Sequence, residues 1–149
     1  ATLLLAIAGF AAITTLAQVA GTVLGAAAYD VAGGLDAGAL TFLALNTLAL
    51  LVALAAVTLA ASASSDRVAA PVAIGLVLVI GGYVLEVLGT IWPDAAFLQP
   101  ISPFHYLRPL EILAGRDATT DPAVLVALGV AAVAFGLWRF PRRDLAAPT

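Results

Sequence analysis

The chain has 149 residues, 63% of them hydrophobic and only 10% charged, with a net charge of −3. A soluble domain carries about half and about a quarter respectively, so the polar surface is too small for a soluble protein, and no basic field exists for nucleic acid. Cysteine and lysine are absent, which excludes disulfides, thiolate metal sites and a phosphate loop of the G-x-x-x-x-G-K-S/T kind. Methionine is absent too, even at position 1, so the sequence reads as a fragment or a processed chain. The first apolar stretch is too long for a signal-peptide core and has no basic leader, so a cleaved signal is not expected.

Four apolar stretches, 3–28, 39–61, 68–92 and 122–139, meet or approach the ~20 residues a helix needs to cross a bilayer. Lipid cannot hydrogen-bond backbone groups, so a spanning chain is helical or a closed barrel. The period-two alternation of a barrel is missing. The expected fold is therefore an all-α, polytopic membrane bundle, with 1–149 as a single transmembrane domain.

In the first stretch Gly21 and Gly25 form a GxxxG pair that admits a close helix neighbour. Thr14, Gln18 and Thr22 share one face, as expected for interhelical hydrogen bonds. The connection 29–38, with Asp30, Asp36 and paired Gly33 and Gly34, reads as a tight turn at a membrane surface. The second stretch carries Asn46 and Thr47 at its centre, and a lone asparagine there most often makes a packing hydrogen bond. A short polar turn, 62–67, leads to the third stretch, which admits Pro71 in its first turn.

Gly75, Gly82 and Gly89 recur every seven residues and form one smooth seam. Glu86 falls four residues after one glycine and three before the next. It therefore shares their face and points into a helix contact or cavity, away from lipid. An ionisable group inside a span is costly, so Glu86 is either a candidate functional site or the partner of a structural hydrogen bond, and it lies within two turns of the span's external end.

The connection 92–121 holds four prolines and the aromatics Trp92, Phe97, Phe104 and Tyr106, residues that settle at membrane boundaries. Ser102 followed by Pro103 has the form of a helix cap with proline at the first position. Phe104, Leu107, Leu110 and Ala114 fall on one side, and His105, Arg108 and Glu111 on another. A short amphipathic helix is expected, within an element covering about 97–115, distorted near Pro109 and ending at Gly115. Asp121 and Pro122 open the last span.

Four alternating helices put Arg67, Arg139, Arg142 and Arg143 on one side, with Asp66 and Asp144. Asp30, Asp36, Asp94, Asp117 and Asp121 lie on the other. By the positive-inside rule both termini are cytoplasmic and 92–121 is external.

Catalysis finds little support. Ser102, His105 and Asp94 invite a hydrolase reading, but Ser102 sits where a helix cap belongs and no G-x-S-x-G elbow is present. A lone histidine has no partner set for a metal.

Two segments carry a resemblance. Ile101-Ser102-Pro103-Phe104-His105-Tyr106 lies in the last external connection, and Trp138-Arg139-Phe140-Pro141-Arg142-Arg143-Asp144-Leu145 closes the chain. Together they resemble the C-terminal part of ABC transporter permeases of the type-2 exporter superfamily. Those proteins often carry an "SPF-Y" segment in that connection and an F-x-R-R-D-L-like tail.

The resemblance implies that the four spans are the third to sixth helices of a six-helix permease. Such a permease works as a homo- or heterodimer with cytoplasmic ATP-binding subunits. Catalysis and cofactors would be absent from this chain, with ATP and magnesium bound by the partner ATPase. The resemblance makes the 62–67 turn, with Asp66 and Arg67, a contact to that ATPase. Arg142, Arg143 and Asp144 would meet the ATPase or anionic lipid. Ser102, Pro103, Phe104, His105 and Tyr106 would belong to an external helical element at the outer gate. Glu86, Gly82 and Gly89 would border the substrate pathway. The competing expectation is a secondary transporter or membrane scaffold without ATP coupling. A carrier should show paired interrupted helices and several buried charges, and the sequence shows one such acid and no clear repeat.

Overall fold

The computed structural model describes residues 2–30, 32–65, 69–115 and 120–139. Regular structure among them is entirely helical. α1 is Thr2–Ala28 and α2 is Ala37–Ser64. The third span, Ala69–Ile91, comprises α3 (Ala69–Leu76), a π-helical turn (Val77–Gly81) and α4 (Gly82–Ile91). The connection contains 3₁₀ helices at Pro93–Ile101 and Pro103–Tyr106, then α5 (Pro109–Leu113). α6 is Thr120–Arg139. Four helices are long and apolar enough to cross a membrane, and most of their large apolar side chains face outward. This is a multi-pass membrane protein whose outward faces suit lipid.

α2 is the hub. Its buried residues Leu43, Asn46, Thr47, Leu50, Ala53, Ala56 and Ala60 recur at helical spacing and form one stripe. Asp36 caps the helix by accepting from the Ala39 N–H at 2.7 Å. Threonines inside the spans satisfy their own hydroxyls. Thr47 donates to the Leu43 carbonyl at 2.9 Å, and Thr58 to that of Leu54 at 2.9 Å.

The most extensive helix pair is α2 with α6, and small residues make it possible. A β-carbon on Gly129 would lie 3.6 Å from Ala53 Cα, and one on Gly136 3.4 Å from Ala60 Cα. Without helix-to-helix hydrophobic driving force in lipid, such backbone proximity gives packing its strength. Both contacts advance in the same direction along the two chains, so α2 and α6 run parallel. Their register sets Asp121 nearly level with Asn46.

α1 packs only lightly on α2, with Ala11 buried. Its GxxxG pair, Gly21 and Gly25, meets no atom within 4 Å. Within α1, Thr22 donates to the Gln18 carbonyl at 2.9 Å, so this hydroxyl satisfies itself along its own helix.

The glycine seam divides between two partners. Gly75 rests on Thr58 of α2, whose Oγ1 would be 3.1 Å from an added β-carbon. Gly82 and Gly89 face the connection instead. The π-turn that precedes them widens the helix by one residue and ends at the Gly81–Gly82 pair, whose dihedrals are ordinary right-handed helix.

The α2–α6 contact predicts a size threshold at Gly136. Gly136→Ala adds an ordinary contact and should leave the melting temperature of the purified protein nearly unchanged. Gly136→Leu should overpack the pair and cost roughly 1–3 kcal/mol, read as a lower melting temperature.

Candidate functional site

After Trp92 the chain turns back on α4. Pro93 opens the first 3₁₀ helix, and the Trp92 indole donates to Asp94 Oδ2 at 3.3 Å. Gln99 crosses Gly89 so closely that a β-carbon there would fall 2.3 Å from Gln99 Cγ. Gln99 Nε2 then donates to Thr90 Oγ1 at 3.2 Å.

Ser102 is fully buried and caps the next turn by accepting from the Phe104 N–H at 3.1 Å. This is the cap read from the sequence, with Pro103 first in the turn. Pro103 and Phe104 lie on Gly82, and the Phe104 ring meets Tyr83 edge-on with centroids 6.1 Å apart. Gly82 precedes Ile91 by nine residues, so the connection descends about 14 Å alongside α4. Tyr106 closes the loop on itself, donating from its hydroxyl to the Pro100 carbonyl at 3.0 Å.

α2 holds the bottom of this loop. Asn46 is wholly buried, and its Nδ2 donates to the Tyr106 carbonyl at 2.7 Å and the Leu107 carbonyl at 3.1 Å. Those carbonyls lie where the chain leaves the 3₁₀ turn. Without a donor they would be unpaired, at a cost of about 1–3 kcal/mol each. The packing role read for this asparagine is the one observed, and its target is the connection rather than a neighbouring span.

Arg108 stands at the break between the 3₁₀ turn and α5, with φ 34° and ψ 54°. A left-handed non-glycine residue costs about 1–2 kcal/mol, so its surroundings must hold it. The break also changes the phase of the helix expected across 102–114. The element is helical in three pieces and begins at Pro93, not near 97. Leu110, placed by helical spacing beside Phe104 and Leu107, is 81% exposed, and Ile112 is the buried residue of α5.

The polar side gathers as its spacing suggested. Arg108 Nη1 donates to Glu111 Oε2 at 3.3 Å, and Nη2 to His105 Nε2 at 2.9 Å. Arg108 Nε lies 3.5 Å from Asp121 Oδ2 in the first turn of α6. His105 Nδ1 is 3.5 Å from Glu86 Oε2 on α4. Neither Glu86 Oε2 nor Asp121 Oδ2 accepts a well-formed hydrogen bond; Asp121 lies beside the Arg108 charge, and Glu86 beside the His105 ring. Glu86, Thr90, Gln99, His105, Arg108 and Glu111 line an open cleft of about 400 Å³.

Glu86 thus faces protein, as its place between Gly82 and Gly89 required. It lies about 8 Å from the end of the span, five residues before Ile91. Spacing grouped Arg108 with His105 and Glu111, but not with Glu86 or with Asp121 of α6, and it did not show that Asn46 anchors the connection. Asp66, Arg67, Arg142, Arg143 and Asp144 lie outside the described residues. Among the described residues no group of three metal-binding side chains comes together.

The sequence profile of the ABC-2 family transporter proteins matches residues 3–145. The chain belongs to that family. Comparison with curated proteins and with solved structures gave no match. In this ABC-2 protein the family profile spans all four membrane helices and the folded-back connection, so the site described above lies within the shared domain.

Asn46→Leu should release the loop from α2. It removes the donor and leaves two carbonyls unsatisfied, a loss of about 1–3 kcal/mol for each that water does not reach. A cysteine replacing Ile112, 4% exposed in the intact protein, should then react faster with a thiol reagent than in the Asn46 background. Equal rates would contradict the anchoring role.

Proposed function

We propose that this chain is the membrane-spanning permease subunit of an ATP-driven exporter. It forms half of a substrate pathway, and a second permease copy completes it. ATP and magnesium are bound by a separate cytoplasmic ATPase. The observation that carries this reading is the family match across residues 3–145. The chemistry agrees with it, since these 149 residues hold no lysine and hence no phosphate loop.

In this reading the ends of α2 and α6 at Ser64 and Arg139 face the cytoplasm of the cell that holds the protein in its plasma membrane. Asp66, Arg67, Arg142, Arg143 and Asp144 are then placed to meet the ATPase. The folded-back connection lies on the external side and serves as the outer gate. Gly82 and Gly89 let it pack directly on α4. Glu86 borders the pathway, at a depth that water reaches from outside. Gly21 and Gly25 on α1, which have open space beside them, are suited to receive a helix from the second copy. The cleft's two carboxylates, Glu86 and Glu111, against one guanidinium disfavour polyanionic cargo.

The reading is tested on the full protein in its native membrane. An ATPase with a phosphate loop should co-purify with it. A cysteine at Ser64 should be shielded from an impermeant external thiol reagent, and one at Ala114 should react. With the complex reconstituted, Glu86→Gln should reduce transport per assembled complex several-fold while yield stays normal. Transport that runs on an ion gradient without any ATPase, or a Gln variant with normal transport, would overturn the exporter and the pathway assignments respectively.

A further inference from the structure

The four groups joined through Arg108 come from three separate parts of the chain. Glu86 is on α4, His105 and Arg108 are on the connection, and Asp121 opens α6. One imidazole therefore decides how α4 is tied to α6. Its state follows from the chemistry of its neighbour. A guanidinium has five N–H donors and no acceptor. At 2.9 Å from Arg108 Nη2, His105 Nε2 must be the accepting nitrogen. The proton of the neutral ring then sits on Nδ1, the nitrogen that lies 3.5 Å from Glu86 Oε2.

We propose that His105 is a proton-binding site that operates a latch between α4 and α6. It goes beyond the transport reading and is tested without it. In the neutral ring, Arg108 donates to Nε2 while Nδ1–H faces Glu86, so the chain Glu86–His105–Arg108–Asp121 is closed. A proton arriving from solvent can bind only at Nε2. That nitrogen then becomes a donor facing another donor, and the ring carries a positive charge beside the guanidinium. The Arg108 bond is lost. The Glu86 pair becomes a full ion pair and is strengthened. Acid thus moves the His105 ring from Arg108 to Glu86, and Arg108 is left to Glu111, Asp121 and the His105 backbone carbonyl, to which its Nε donates at 3.4 Å.

The surroundings limit which other groups enter. α4 supplies Glu86 and Tyr83 to this region. α6 supplies Asp121, and the connection supplies Arg108, Glu111 and Tyr106, whose ring meets His105 edge-on at 5.4 Å. Asp94 is held by the Trp92 indole. α1 and α2 carry no ionisable side chain between their bounds. The cleft gives the site access to water, since His105 and Glu86 side chains are 18% and 26% exposed.

The sequence holds a single histidine, so selective ¹⁵N-histidine labelling reports His105 alone, provided the protein is purified without a histidine tag. Spectra of the full protein in nanodiscs should show the Nδ1–H tautomer at pH 8. On acidification both nitrogens should become protonated and the coupling to Arg108 should be lost. Arg108→Gln should shift the pH 8 signal toward the Nε2–H tautomer.

A second readout separates this from a structural role. In Glu86→Gln, acid can only break the Arg108 bond, so the melting temperature should fall as the pH is lowered. In Arg108→Gln, acid can only strengthen the Glu86 pair, so it should rise, both relative to His105→Gln over the same range. An Nε2–H tautomer in the unmodified protein overturns the proposal. So do Glu86→Gln and Arg108→Gln curves that change with pH in the same direction. Neither result bears on whether an ATPase co-purifies.

Discussion

The amide of Asn46 holds two backbone carbonyls that no helix can satisfy. The chain leaves α4, descends alongside it and must turn back toward α6. At the turn, Tyr106 and Leu107 present carbonyls to the interior of the bundle, and Asn46 Nδ2 meets both, at 2.7 and 3.1 Å. Backbone polar groups inside a membrane protein persist only where protein or water satisfies them. Removing this one donor would push the loop outward to water. The packing of Pro103 and Phe104 on Gly82 would go with it, as would the position of His105 beside Glu86. The left-handed Arg108 follows two residues after the anchored carbonyl of Tyr106, and it reaches Asp121 only because the loop ends at this level.

Small residues make the rest of the arrangement compatible with that anchor. Gly129 and Gly136 bring α6 against α2 at Ala53 and Ala60, which sets Asp121 level with Asn46. Gly82 and Gly89 remove the side chains that would hold the loop away from α4. The ionic chain from Glu86 to Asp121 then closes across three elements that are far apart in sequence. Arg108 in it faces two carboxylates, Glu111 and Asp121, while Glu86 has the His105 ring beside it and the open cleft. In a transporter this layer is where a gate would be tied to two spans at once.

Much of this arrangement is legible in the amino-acid sequence. Four spans, an all-helical bundle and the cap at Ser102 follow from hydropathy and local capping chemistry, which depend on neighbouring residues. The face shared by Gly82, Glu86 and Gly89 follows from helical spacing. The partners of that face do not, because they lie in a connection whose path is set by Asn46, some 60 residues earlier. The phase error at Leu110 has a single cause, the left-handed turn at Arg108. Pro109 disfavours the right-handed conformation at the residue before it and so marks a break, but no propensity selects the left-handed one for an arginine, which Glu111, Asp121 and His105 surround. Gly129 and Gly136 lie seven residues apart, as do Ala53 and Ala60, but spacing alone does not say which helix lies opposite.

The close approach of Gly89 and Gln99 permits the most direct test of the folded-back connection. A β-carbon at Gly89 would be 2.3 Å from Gln99 Cγ, so two cysteines placed there would have β-carbons within about 4 Å, the separation a disulfide spans. The sequence has no cysteine to compete. With Gly89→Cys and Gln99→Cys combined, in membranes under mild oxidation, both thiols should be lost to a maleimide mass tag and recovered on reduction. Two thiols that remain fully reactive after oxidation would mean that the connection does not lie along α4, and the account of the site would fail with it.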